Sequence, residues 1–191
     1  MIQILQTASQ AKINILSMQE VRRTGKDRRS YDIINDTRVE RWEVYWSGND
    51  HKKTERVAIT IKASPILQIA RVHQENSRGM YMDVNYGGLK LRVQSLYAPT
   101  EQGMPHAKQK FYKMVETLNM LPSNDPHRKI LHMGDFNAST SAALTRTCFK
   151  GDSFGEYENN ENGDLFLQYC VEEKLQIIQT FFEHKWCHRV A

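Results

Sequence analysis

The order of elements along the chain predicts an α/β fold with a mixed sheet, and three observations carry that reading. Two apolar runs, Ile13-Asn14-Ile15-Leu16-Ser17-Met18 and Ile130-Leu131-His132-Met133, read as buried strands. Each stops at an acidic segment, Gln19-Glu20 in one case and Gly134-Asp135-Phe136-Asn137 in the other. Between them lie alternating stretches joined by turn signals and one amphipathic run at helical spacing, so strands and helices intersperse.

Met1 to Ala11 lacks helix breakers and is expected to be a helix packed on the Ile13–Met18 strand. Trp42 to Ser47 alternates and ends at Gly48-Asn49-Asp50, a strand followed by a turn. Arg56 to Ile61 reads as a strand broken near Ser64-Pro65, and Ile66–Val72, Met80–Tyr86 and Leu89–Tyr97 continue the β pattern. Tyr86-Gly87-Gly88-Leu89 is a hairpin signal. Pro99 stops the last of these strands just after Tyr97. Pro105 to Leu121 places Phe111, Met114, Val115, Leu118 and Leu121 on one stripe, a helix ended by Pro122 to Pro126. No internal repeat or low-complexity linker interrupts the chain.

With 191 residues, 40% hydrophobic and 25% charged, the chain suits one globular domain, 1–191, rather than two. No apolar stretch approaches the length of a membrane span, and the first residues lack the pattern of a secretory signal. Cys148, Cys170 and Cys187 are an odd number at irregular spacing, which argues against a disulfide framework and for a reducing, intracellular compartment. The net charge of +4 permits nucleic-acid binding without demanding it. Its distribution says more: Arg22, Arg23, Lys26, Arg28 and Arg29 follow Glu20 closely and read as a basic loop. Such a loop is either a solvated surface or a seat for a phosphate backbone.

Asp135 and Asn137, two residues apart at a strand end, fall on one side of the backbone. A carboxylate and a carboxamide so placed suit a phosphate held by a hard cation, although a Gly-Asp pair alone is also ordinary turn chemistry. Without further context Glu20 is equally a surface acid, and Tyr97 a half-buried core tyrosine.

In order, the segments Gln19-Glu20, Tyr97-Ala98-Pro99, Gly134-Asp135-Phe136-Asn137 and Asn160-Glu161-Asn162-Gly163-Asp164-Leu165 resemble the endonuclease/exonuclease/phosphatase superfamily. The last of these, with the loop Gly151 to Gly155 before it and Thr180-Phe181-Phe182 after it, resembles one branch: non-LTR retrotransposon endonucleases and craniofacial development protein 2-like proteins, a resemblance that implies a helix over Leu165–Lys174 and a strand over Leu175–Phe182. The resemblance runs from about Leu5 to Val190. It implies a DNase I-like two-sheet β-sandwich flanked by helices and an Mg²⁺-dependent endonuclease acting on DNA, with Mn²⁺ as a substitute. It further implies that Glu20 is the principal metal ligand, that Asp135 positions the attacking water or assists the leaving group, that Asn137 holds a phosphate oxygen, and that the Tyr97 hydroxyl reaches the phosphate. Nuclear location follows only from the substrate class.

Relative to that family the domain is expected to be incomplete at both ends. The family's first strand carries a metal-binding asparagine, and its last strands carry a Ser-Asp-His segment; no Ser-Asp-His occurs in this sequence. A general base contributes about 10²–10⁴-fold, so activity of the chain alone is expected to be weak or absent. The alternatives are a non-catalytic nucleic-acid-binding remnant that uses the basic segment, and a phosphatase on the same fold. Asn162 reads as turn or cap chemistry. His184, Cys187 and His188 cluster without the spacing of a zinc site. The oligomeric state has no signature in the sequence.

Overall fold

The computed structural model describes residues 1–35, 38–48, 55–122, 125, 127–140 and 159–178. The chain divides into two compact units, Met1–Tyr97 with Met114–Gly134, and Ala98–Lys113 with Asp135–Ala191.

The first unit opens with helix α1 (Ile2–Gln10) and strand β1 (Ile15–Gln19). It continues through β2 (Lys26–Asn35), β3 (Arg38–Ser47), β4 (Val57–Lys62), β5 (Leu67–Asn76), β6 (Gly79–Tyr86) and β7 (Leu89–Tyr97), and returns in β8 (Lys129–Asp135). These strands form two four-stranded sheets, ordered β1-β4-β3-β2 and β5-β6-β7-β8. The pairs β1/β4, β4/β3, β3/β2, β5/β6 and β6/β7 are all antiparallel. Tyr86 pairs with Leu89 around the two-glycine turn, as the sequence predicts.

Period-2 alternation divides the apolar residues of the first sheet between two cores. Tyr45, Val57, Ile59 and Ile61 face Leu67, Met80, Met82, Val84, Val93 and Tyr97 of the second sheet, which makes a sandwich. Trp42, Val44, Trp46 and Ala58, one residue out of phase, pack with Leu5 and Ala8 of α1. Each fully buried aliphatic or aromatic side chain contributes about 1.5–3 kcal/mol. A polar link also docks α1: Ser9 Oγ donates to Glu40 Oε2 at 2.5 Å, and Lys62 Nζ donates to Glu40 Oε1 at 3.3 Å. On the second sheet, Met114 and Leu118 of helix α2 (Pro105–Met120) lie against Gly79. The expected α/β architecture of two sheets with flanking helices is therefore observed.

Three local readings change. The basic segment is not a loop: Lys26, Arg28 and Arg29 belong to β2, which pairs residue for residue with β3 from Lys26↔Ser47 to Asn35↔Arg38. β2 is an edge strand, and exposed charge on an edge is what keeps it from pairing with another chain. β1 is half-buried rather than buried, because it too lies at a sheet edge. Residues 175–178, the described part of the strand expected over Leu175–Phe182, are not extended sheet. The loop Gly151–Gly155 and the cluster His184, Cys187 and His188 lie outside the described residues.

In the second unit, the Pro105–Lys113 half of α2 and helix α3 (Glu161–Glu172) form an aromatic core. Phe136 packs at a tilt 4.5 Å from Phe166 and meets Phe111 edge-on at 6.2 Å, while Tyr112 lies 5.2 Å from Tyr169. Cys170 is a free, buried thiol, and burial pushes its pKa up to about 12, so it is a packing residue. No described helix is long and apolar enough to cross a membrane.

Candidate functional site

In the first unit, β1 ends at Gln19 and the chain turns at Glu20, whose φ of 55° is the left-handed conformation that costs a non-glycine residue about 1 kcal/mol or more. The turn leaves the Glu20 carboxylate exposed. Tyr97, the last residue of β7, is 8% exposed and donates its hydroxyl proton to Glu20 Oε1 at 2.7 Å. Two sequence motifs separated by 77 positions thus meet through one short, charge-assisted hydrogen bond. Gln19 is tethered beside it, donating to Ser17 Oγ at 2.7 Å.

Tyr97 is itself held by residues that the sequence did not single out. Arg78 donates from Nη1 to Tyr97 O at 3.1 Å, and its guanidinium lies 5.7 Å from the centre of the Tyr97 ring. Glu55 pairs with Arg78 at 2.7 Å from a backbone that is also left-handed, with φ of 66°. Neither residue belongs to a recognisable motif, so no sequence signal could have found them. Three residues before Asp135 in β8, His132 is half-buried with both ring nitrogens shielded from solvent, and desolvation pushes its pKa down to about 4. Gly134 follows it at φ 155°, where a Cβ would stand 2.0 Å from Leu96 O. Only glycine allows β8 to approach the end of β7 so closely.

In the second unit, Asp135 and Asn137 form a compact turn. Asp135 Oδ1 accepts the Asn137 backbone N–H at 2.8 Å, and Asp135 O accepts the Ala98 N–H at 2.9 Å. Asn137 is left-handed, with φ of 49°, and its Nδ2 donates to Ala98 O at 2.9 Å. Its carbonyl accepts two carboxamide protons, from Asn160 Nδ2 at 3.1 Å and Asn162 Nδ2 at 3.0 Å. Asn162, 3% exposed, also donates to Pro99 O at 2.9 Å.

The cap of α3 is Asn160, not Asn162: its Oδ1 accepts from Gly163 N at 2.7 Å and from Ser139 N at 2.9 Å. Glu101 completes the helix start by accepting from Glu161 N at 3.0 Å and Asn162 N at 3.2 Å. The Asn-Glu-Asn-Gly segment therefore holds the turn after β8, and an Asn-Gly pair read as cap chemistry alone misplaces the cap by two residues.

Of the basic residues, Arg22, Lys26, Arg28 and Arg29 are exposed. Arg23 bonds the Tyr31 hydroxyl at 2.9 Å and stacks 5.5 Å from the Trp46 ring. Lys26 Nζ reaches the carbonyls of Gln74 and Glu75. Arg28 and Arg29, being consecutive on a strand, point to opposite faces. The five charges consequently do not act as one patch. Among the described residues no three of His, Cys, Asp and Glu converge, so these residues offer no all-protein metal cage. An exposed single carboxylate does fit Mg²⁺, which takes one or two carboxylates and completes its shell with water and phosphate oxygens.

No protein-family model matches the chain, and no curated protein does. Among solved structures it is similar to an endonuclease/exonuclease/phosphatase family protein from Leptotrichia buccalis C-1013-b, with a TM-score of 0.44 and 18% identity. The match covers 72% of this chain and 60% of that one, so the chain spans less than two thirds of the matched protein.

Proposed function

We propose that this chain is an Mg²⁺-dependent phosphodiesterase domain of the DNA-endonuclease type, of the retrotransposon and craniofacial development protein 2-like branch, with weak turnover. The observation that carries this reading is the 2.7 Å bond from the Tyr97 hydroxyl to Glu20, because it joins two motifs that the sequence keeps far apart. Glu20 would hold Mg²⁺, which supplies positive charge to the phosphoryl oxygens. Tyr97 orients the Glu20 carboxylate by donating its proton, and its ring is fixed in turn by Arg78. Asp135 would orient the water or the leaving oxygen, and Asn137 would present its second amide proton to a phosphate oxygen.

These 191 residues include no Ser-Asp-His, so turnover by this chain tested alone would lie about 10²–10⁴-fold below that of an enzyme with a positioned general base. Nicking of supercoiled plasmid tests the proposal. Slow, Mg²⁺-dependent nicking that drops to background in Glu20→Ala and Asp135→Ala is expected. Equal nicking by wild type and both variants would overturn it. A non-catalytic DNA-binding role draws support from the exposed Arg28 and Arg29 on an edge strand. That reading predicts salt-dependent binding with no response to Mg²⁺.

A further inference from the structure

The first unit also contains a cavity of about 450 Å³ at the other end of the second sheet, lined by Arg71, Asp83, Lys90, Asp125 and Arg128 among others. Lys90 and Tyr97 are seven residues apart on β7, about 23 Å along a strand, so this cavity is separate from the Glu20–Tyr97 pair. Its volume lies in the range of small-molecule sites.

The charge bookkeeping inside it is unequal. Both carboxylates are already taken: Asp83 by a two-pronged pair with buried Arg92, at 2.7 and 2.8 Å, and Asp125 by Lys90 at 2.5 Å. Among the described residues the hydrogen bonds of Arg71 and Arg128 go to backbone carbonyls. Arg71 Nη1 donates to Pro122 O at 2.9 Å, and Arg128 Nη2 donates to Asn119 O at 2.7 Å and Leu121 O at 3.2 Å. Carbonyls at a helix C-terminus carry only about half a unit of negative charge between them. Arg92 draws on the same carbonyls, donating to Leu118 O at 2.7 Å and Leu121 O at 2.9 Å. Arg128 Nε is buried with no hydrogen-bond partner among the described residues. Burial, and then the neighbouring Arg92 charge, lower the Arg128 pKa and outweigh the opposing pull of Asp83, Tyr81 and Asp125.

We infer that this cavity binds a small phosphorylated molecule of nucleotide size, its phosphate neutralising Arg71 and Arg128 and its remainder occupying the space beside β5 and β6. The forked donors of arginine suit a phosphate dianion, and a phosphate in the cavity gives Arg71 and Arg128 an anionic partner beside their carbonyl contacts. Inorganic phosphate and adenosine 5′-monophosphate probe the site directly, with adenosine and a short DNA duplex as the comparison arms.

Calorimetric titration of the full chain at low ionic strength is expected to show saturable binding of phosphate and of the monophosphate but not of adenosine. Affinity should fall about tenfold in Arg128→Gln and in Arg71→Gln. Arg71 is exposed and makes a single carbonyl contact, so its variant keeps the fold, whereas the Arg128 variant also removes bonds to the end of α2. Absence of saturable anion binding, equal binding of adenosine, or an affinity unchanged in Arg71→Gln would overturn the inference. Binding of the duplex without binding of the monophosphate would overturn it as well, by assigning the phosphate to a nucleic-acid backbone.

Discussion

Just past the end of β1 and two residues past the end of β8, the chain places a glutamate and an asparagine in the same left-handed backbone, with φ of 55° and 49°. Their support differs. Asn137 is held by its own amide on Ala98 O, by Asp135 on its N–H, and by Asn160 and Asn162 on its carbonyl. Glu20 has the Tyr97 hydroxyl on its side chain. Asparagine is among the residues that tolerate this conformation most readily, whereas glutamate is not. The turn after β8 is thus a braced piece of architecture. The turn after β1 carries a costly backbone beneath an exposed carboxylate, a strain that the role proposed for Glu20 would account for.

The comparison breaks most visibly at the glycines that permit the braced turn. A Cβ at Gly163 would stand 1.9 Å from Ser139 O, and one at Gly134 would stand 2.0 Å from Leu96 O. Either alanine substitution is expected to cost at least about 3 kcal/mol, read as loss of cooperative unfolding or a large drop in Tm.

Acid should weaken β8 next. His132 is depressed to about 4 from an ordinary 6.5, so the folded state holds it neutral. The stabilisation it permits is complete above about pH 6.5, falls as pH drops toward 4, and changes no further below that. The loss amounts to about 3 kcal/mol at most, and urea midpoints at pH 7, 5.5 and 4 would measure it. His132→Gln should flatten the profile across that window; a profile with the same slope in the variant would assign the acid sensitivity elsewhere.

Asn162→Ala comes third. It leaves the carbonyls of Pro99 and Asn137 short of a donor at a buried position and should cost about 1–3 kcal/mol. The smallest effect sharpens the contrast most. Asn137→Gly is expected to lower stability by about 1 kcal/mol through the lost bond to Ala98 O. Glu20→Gly should leave stability unchanged or raise it by up to about 1 kcal/mol, because relief of backbone strain offsets the lost tyrosine contact. Equal destabilisation by both would remove the distinction between braced and strained turns.

Most of the sandwich was legible because its strands bury one or both faces. Trp42–Ser47, Arg56–Ile61 and Leu89–Tyr97 carry the alternation, and Gly87-Gly88 marks its own hairpin. β2 was not legible, since Lys26 to Asp32 is charged and exposed at a sheet edge and resembles a solvated loop. Glu20 and Tyr97 could be named from their motifs, but the bond between them depends on how β1 and β7 end, which no local pattern encodes. Arg78 and Glu55 escaped for the same reason: their importance lies only in what they touch. The role of Asn162 was hidden by a neighbour, Asn160, with the same chemistry and a better position for the cap.

Mg²⁺-dependent binding of a fluorescent DNA duplex, compared between wild type and Glu20→Gln by anisotropy, tests the central claim most directly. The account predicts that Mg²⁺ tightens binding by wild type about tenfold over EDTA and leaves the variant unaffected, with Tm values close together. Binding that ignores Mg²⁺ in wild type, or that responds to it equally in Glu20→Gln, would contradict the assignment of Glu20 and the phosphodiesterase reading built on it.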